Sequence, residues 1–482
     1  MTVASTDAAT VSTPTVSTST VSTSYRFRPG ARCLLGGGDV AVLLPAKERL
    51  SGLTRDQLAL LRALNAGPVT DPAVTDPVVT DPATADQSIT ALVDRLIGAG
   101  VVAITVSAGD RTLYSLRPFR RPPSSRPAAD AMPTDSVASR FSVIRRVDDE
   151  VVAENPRSWS DVVIHDDTIL AILSGLEKPA GEALDSDVAT RVVADLRWTG
   201  LMVEPGIESG EFPTRSWTPH ELWFHRRSTV GNRSAAFAEL GPTRWADGRF
   251  EPLPARREIY PGDPIALPIP DLDELRAHDR TLTSVVEARK SVRDFDDDQP
   301  ITLAQLGELL YRCGRTRDVR VIDADRDVPE ELPSRPYPSG GSLYELEIYP
   351  VIRTVEGVPP GMYHYDSYDH VLRPVAPFDS PAVRRLLAPA ALTLADGQLP
   401  QVLLTLAARA GRIMWTYEQM PYAVILKHVG VLTQTLYLTA TAMALGGVAQ
   451  GYGDTEAFAE ATGVDELTEA NVGTFVVGTP RR

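Results

Sequence analysis

Residues 421–454 read PYAVILKHVGVLTQTLYLTATAMALGGVAQGYGD. From Val424 to Leu445 the run is apolar on nearly every side, with Lys427 its one formal charge. Such a pattern predicts a long helix buried on several sides. Gly446 and Gly447 end it, and the stretch to Asp454 reads as a glycine-rich loop that could aim backbone N–H groups at a bound molecule. A cationic lysine is costly to bury, so burial would suit Lys427 to general-base work. Snorkelling to the surface is its other reading.

Outward from this helix, strands and helices alternate from about Thr283 to the end. Leu303–Tyr311 reads as a helix with Thr302 as N-cap. Leu346–Ile352 and Pro400–Ala407 read as strands, Met362–Tyr365 with Val371–Arg373 as a hairpin, and Asn471–Gly478 as a closing strand. Residues 283–482 are therefore expected to form one domain, of α+β class.

Three further stretches there carry chemistry. Arg289-Lys290-Ser291-Val292-Arg293 places three cations and a hydroxyl within five residues. Phosphate favours such converging charge-assisted donors, although a solvated basic face has the same composition. Arg335-Pro336-Tyr337-Pro338-Ser339-Gly340-Gly341-Ser342 could approach a ligand closely through its glycines, or be an ordinary turn. It is not GxGxxG, so a Rossmann dinucleotide site is disfavoured. Met414 to Tyr422 is rich in aromatics and leads into Lys427.

The N-terminal half reads differently. Residues 1–24 are rich in Ser, Thr, Val and Ala with one charge, Asp7. They lack the basic start and apolar core of a signal peptide and are expected to be a disordered tail. Residues 25–117 form a first small module, containing strands over Tyr25–Pro45, helices near Leu58–Leu64 and Ile89–Ile97, and a strand over Val101–Val106. A low-complexity loop over 68–86 repeats Thr-Asp-Pro every five residues. The proline-rich stretch 118–136 reads as a linker. Residues 137–206 repeat the plan, with Leu96/Leu196, Gly100/Gly200 and Val101/Leu201 each one hundred residues apart. Two copies of a winged-helix-like α+β module are expected. Residues 207–282 connect, and WTPHELWFH over 217–225 is read as a docking segment.

Composition narrows the function classes. The 482 residues carry a net charge of -15, which argues against a nucleic-acid groove or an anionic membrane as main partner. Cys33 and Cys313, far apart, exclude a disulfide framework or a cysteine-rich metal site. No apolar run reaches the ~20 residues of a membrane span. A cytoplasmic protein is expected.

In this order, ARKSVRDF (288–295), RPYPSGGSLYELEIYPV (335–351) and the 421–454 stretch resemble the nitroreductase superfamily. More narrowly, they resemble its SagB-type and cyanobactin-oxidase-like azoline dehydrogenases. The resemblance covers roughly residues 217–480. It implies FMN at the interface of a homodimer. It implies oxidation of thiazolines or oxazolines in a ribosomally made peptide, on a precursor that a separate cyclodehydratase has cyclised. Oxygen is the expected final acceptor.

By matching positions, the resemblance implies that Arg289 and Ser291 hold the FMN phosphate and Arg293 lies near the pyrimidine edge. Pro338, Ser339 and Gly340 match the loop that reaches the flavin. Gly451 matches the glycine whose N–H faces flavin N5. Gln434 matches a polar helix position lining the cofactor, and Arg481 or Arg482 a C-terminal phosphate contact. Lys427 and Tyr422 are the candidates for a catalytic Lys/Tyr pair, with Tyr417 in reserve. Their five-residue spacing does not put them squarely on one helix face. The N-terminal modules are similar to peptide-recognition elements that bind leader peptides by strand addition. Rival readings are an NAD(P)H-dependent nitro or quinone reductase and a flavin-free peptide-binding scaffold.

Overall fold

The computed structural model describes residues 21–36, 39–71, 82–131, 135–176, 184–229, 241–322, 328–418 and 420–481, with 82–86 as backbone alone. Most of the repeated Thr-Asp-Pro loop lies outside the described residues, as does most of the expected tail. Val21 to Ser24, assigned to that tail, already belong to a strand, and the end of the expected loop is helical from Pro82. The chain divides into two compact units, residues 1–236 and 237–482.

Unit 1 runs in two similar passes. The first holds β1 (Val21–Phe27), β2 (Arg32–Leu35), β3 (Ala41–Leu44), β4 (Glu48–Leu50), α1 (Arg55–Ala66), the short β5 (Val69–Thr70), α2 (Pro82–Gly98), β6 (Val102–Ala108) and β7 (Arg111–Pro118). The second holds β8 (Val137–Ala138), β9 (Val143–Val147), β10 (Glu150–Glu154), β11 (Ser160–Ile164), α3 (Asp167–Ser174), α4 (Ser186–Trp198) and β12 (Met202–Val203). Each pass is a strand, a three-stranded meander, two helices and a return strand. In each the return strand pairs antiparallel with the first: β6 with β1, β12 with β8.

The helix ends match as well. Gly100 and Gly200 have φ of 69° and 76°, a left-handed conformation that suits glycine. Val101 N–H donates to Leu96 O and Leu201 N–H to Leu196 O, so both helices close the same way. The two passes share one sheet, in the order β5-β1-β6-β7-β11-β10-β9, joined where β7 pairs with β11.

The stretch read as a linker is bonded into this unit. Arg126 and Arg191 both donate to the fully buried Asp195 on α4, and Tyr114 Oη donates to it at 2.7 Å. Short helices α5 (Ile207–Gly210) and α6 (Phe212–Arg215) follow, then α7 (Pro219–Arg227) with a capping box from Thr218 and Glu221. The aromatic docking segment lies on α7, where Trp223 Nε1 donates to Phe141 O.

Unit 2 centres on a seven-stranded antiparallel sheet, with its elements in chain order as follows. They are β13 (Ile265–Ala266), α8 (Leu272–His278), α9 (Leu282–Ala288), α10 (Leu303–Gly314), β14 (Asp318–Ile322), β15 (Glu330–Ser334), β16 (Leu346–Ile352), β17 (Gly361–Asp366) and β18 (Val371–Pro377). Next come α11 (Pro381–Ala391), β19 (Val402–Ala408), α12 (Ala410–Thr416), α13 (Pro421–Ala442), β20 (Gly446–Gln450), α14 (Thr455–Thr462) and β21 (Ala470–Gly478). The sheet order is β13-β18-β17-β16-β19-β21-β20.

Helices cover both faces. Leu346, Ile348, Leu404, Leu406 and Phe475 pack with α10 and α13. Tyr349, Val351, Leu403 and Val476 point the other way, toward α11 and α14. Double coverage explains why β16 and β19 are apolar at nearly every position. Thr302 and Gln305 form the capping box that starts α10.

One expectation is overturned here. Residues 446–450, read as part of a loop, are edge strand β20, paired with β21. The glycines serve close packing: a Cβ on Gly447 would lie 2.5 Å from the Phe475 ring, and one on Gly446 2.8 Å from Val292.

Candidate functional site

The 289–295 segment leaves the end of α9 and runs beside β20. Val292 N–H donates to Gly447 O at 3.0 Å, and Ser291 bridges Gly447. Phe295, fully buried, is held at both backbone polar groups by the Gln398 amide. This stitching fixes what the segment presents. Ser291 Oγ lies 3.0 Å from Tyr437 Oη on α13, and Tyr437 Oη accepts the Ala449 N–H at 2.8 Å. The Arg289 guanidinium lies 5.3 Å from the Tyr437 ring centroid. Lys290 and Arg293 are exposed beside them. Arg289, Ser291 and Tyr437 thus form one cationic, hydroxyl-bearing group, a donor set suited to phosphate.

Gln434 is one turn before Tyr437 on α13 and exposed. Lys427 is two turns before Gln434, so the two project from one side of the helix. Lys427 is exposed, which agrees with the snorkelling reading and not with the buried one. The helix buries its other side through Ala423, Ile425, Leu432 and Leu436. Tyr422 is 46% exposed. Gly451 follows β20 at the surface, with open space where a Cβ would stand. Arg481 is spent on Asp294, its Nε donating to Oδ1 at 2.9 Å, and Arg482 lies outside the described residues.

Pro338, Ser339 and Gly340 approach α13 from a second direction. Gly340 N–H donates to His428 Nε2 at 2.7 Å, and His428 Nδ1 lies 2.8 Å from Glu345 Oε1. Because Nε2 accepts a backbone N–H, the ring proton sits on Nδ1 and faces the carboxylate. A Cβ at Gly340 would meet both His428 Nε2 and Tyr417 Oη at 3.4 Å, an ordinary contact distance. Ser339 Oγ accepts the Tyr344 N–H. Residues 337–345 are therefore clamped to the helix carrying Gln434 and Tyr437.

Beneath the clamp lies a buried ionic cluster. Arg335 Nη1 donates to Leu346 O, and Arg412 Nε donates to Leu343 O. Glu347 is opposed by burial, yet His364, Arg335 and Arg409 hold its carboxyl down at about 2. Burial, reinforced by Arg409, pushes Arg412 down to about 10.

The sequence-derived candidates thus fall into two groups linked by α13. One is Arg289 with Ser291; the other is Pro338, Ser339 and Gly340. Arg293 and Gly451 flank the first, Lys427 and Tyr422 the second helix turns, and Arg481 is drawn away to Asp294. Tyr437, His428 and Glu345 were missed as site residues. A histidine in an apolar helix was the one available signal, since such a group requires a buried partner. Among the described residues, no three His, Cys, Asp or Glu side chains converge as a metal-binding group. No helix among them is long and apolar enough to cross a membrane.

Two stretches of the chain match known families. Residues 286–479 match the nitroreductase family, and residues 136–234 match the cyanobactin oxidase ThcOx family. A protein of Methanocaldococcus jannaschii assigned to the nitroreductases is 30% identical over 190 residues, which cover 39% of this chain and 85% of that protein. Among solved structures, one assigned to the nitroreductases from Ralstonia eutropha is 21% identical, covering 51% of this chain and all of that one, with a TM-score of 0.35. A chain of the E. coli microcin synthetase McbBCD complex, solved with truncated pro-MccB17 bound, is 20% identical, covering 51% of this chain and 85% of that one, with a TM-score of 0.33.

Proposed function

This chain belongs to the nitroreductase family, and from that we propose that it is an FMN-dependent dehydrogenase oxidising thiazoline or oxazoline rings in a ribosomally made peptide to thiazoles or oxazoles. The family makes it an oxidoreductase. The observation that favours azolines over small nitro compounds is the cyanobactin oxidase match over residues 136–234, outside the nitroreductase region.

Bound FMN would supply the two-electron acceptor. The residues fit it: Arg289 and Ser291 would hold the phosphate, steadied by Tyr437 and β20. Arg293 would place a cation near the ring. Gln434, Gly451 and the Pro338-Ser339-Gly340 loop would border the ring, and Arg481, paired with Asp294, would be a secondary phosphate contact. The chain must also take the proton from the azoline ring carbon. Lys427 or Tyr422, both exposed near the start of α13, would accept it.

The reading entails a cytoplasmic homodimer that receives its precursor peptide from a cyclodehydratase, with oxygen as final acceptor. Nucleic acid and membrane have no part in it. The first test is the visible spectrum of the purified protein. A bound oxidised-flavin spectrum, with turnover of an azoline peptide in air, is expected. A protein that stays colourless after FMN is added would point to the scaffold reading. The archaeal relative favours a second reading, a nitro or quinone reductase; bleaching of the flavin by NADPH without azoline turnover would establish it.

A further inference from the structure

We infer that unit 1 carries a docking cleft for an acidic peptide segment, formed by Arg120, Arg121, Arg157 and Arg197 around the paired indoles of Trp159 and Trp198. The cleft has a volume of about 400 Å3. It lies between the segment after β7, the β10–β11 turn and the end of α4. The proposal rests on the reading that the substrate is a peptide.

The walls are preorganised. The two indole rings lie 4.4 Å apart, and both are almost completely buried. Trp159 Nε1 donates to Trp198 O, and Trp198 Nε1 donates to Ser124 O. Asn155 donates to Gly200 O and Ser139 Oγ. No indole or amide in the floor is left to seek a partner.

The four guanidinium groups are less well satisfied. Arg120 donates to Arg157 O, and Arg197 to Asp135 O and Ser136 Oγ, all neutral acceptors. Among the described residues, no carboxylate pairs with Arg120 or Arg197. Arg121 reaches Glu48 only at 3.5 Å, with its side chain 67% exposed. Arg157 reaches Glu208 only at 4.0 Å. Glu208 is engaged elsewhere, accepting from Ser139 Oγ at 2.6 Å and the Arg140 N–H at 2.8 Å. Four cations thus converge, weakly opposed, in a chain of net charge -15. That local inversion of sign draws an anionic partner. Guanidinium forks suit carboxylates, and the mixed apolar wall suits the side chains between them.

The sheet gives a reason for a cleft here. Strand β11, next to it in sequence, has β7 on one edge and β10 on the other. Neither edge of β11 is open to strand addition, so a peptide seated against β11 is held by side chains.

The test uses the full-length protein and calorimetric titration of two acetylated, amidated hexapeptides. One alternates leucine with glutamate; the other has glutamine in place of glutamate. The glutamate peptide is expected to bind at low ionic strength, and more weakly at about 0.5 M salt. The glutamine peptide, and the glutamate peptide on the Arg121→Gln/Arg157→Gln protein, are expected to bind at least about tenfold more weakly. Both replaced side chains are more than half exposed, and circular dichroism checks that the variant folds. Equal binding of both peptides, or unchanged binding by the variant, overturns the proposal. Inorganic phosphate binding as tightly as the glutamate peptide overturns it in favour of a simple anion site. The flavin spectrum and azoline turnover are read separately, so failure of the cleft and failure of the azoline reading are distinct results.

Discussion

The imidazole of His428 accepts the Gly340 N–H at 2.7 Å while its other nitrogen faces the buried carboxylate of Glu345 at 2.8 Å. One side chain on α13 thus positions the 338–342 loop and gives the buried Glu345 carboxylate a hydrogen-bond donor. Replacing it removes both bonds and strands Glu345 in the core. His428→Ala is expected to lose about 1–3 kcal/mol in urea unfolding. It is also expected to release flavin more readily than the wild type. An unchanged midpoint would mean that the loop is held by its remaining contacts.

Glu347 gives a pH dependence with a defined sign. Its carboxyl is depressed from an ordinary 4.5 to about 2 in the folded protein. Its contribution is therefore complete above about pH 4.5 and lost as the pH falls from there toward 2, amounting to about 3 kcal/mol. Acid unfolding of Glu347→Gln should be less steep across that window than wild type. Parallel acid limbs for the two proteins would remove Glu347 as a source of acid sensitivity.

Arg289 is the residue on which cofactor retention should depend most. Arg289→Ala leaves Ser291 and Tyr437 bonded to each other but removes the charge-assisted donor. FMN affinity is expected to fall by about 10- to 100-fold in a fluorescence titration. Unaltered affinity would place the phosphate elsewhere.

Lys427 separates chemistry from folding, because its side chain is exposed. Lys427→Ala should change stability by no more than about 0.5 kcal/mol. If Lys427 takes the ring proton, azoline turnover falls about 100-fold or more while flavin remains bound. Full turnover would remove Lys427 from that role.

Much of this protein is written locally. The capping box at Thr302, the apolar strand over 346–352, and the glycine-closed helices before Val101 and Leu201 all follow from short-range rules. So does the closeness of the Arg289 cation to the Ser291 hydroxyl, two residues apart in the chain. Other features depend on partners distant in sequence. The Gly446-Gly447 pair looks like a helix terminator until the Phe475 ring and Val292 are seen to need the space of a missing Cβ. Tyr437 joins the site only because β20 brings Ala449 to its hydroxyl. His428 and Glu345 meet across 83 residues, and burial alone makes their pairing necessary. The sharing of one sheet by the two passes of unit 1 likewise rests on β7 and β11, whose facing edges are complementary only once both are folded. Composition, caps and periodicity are set by neighbours in the chain; close approach, buried charge pairing and strand partnership are set by what folding brings into contact.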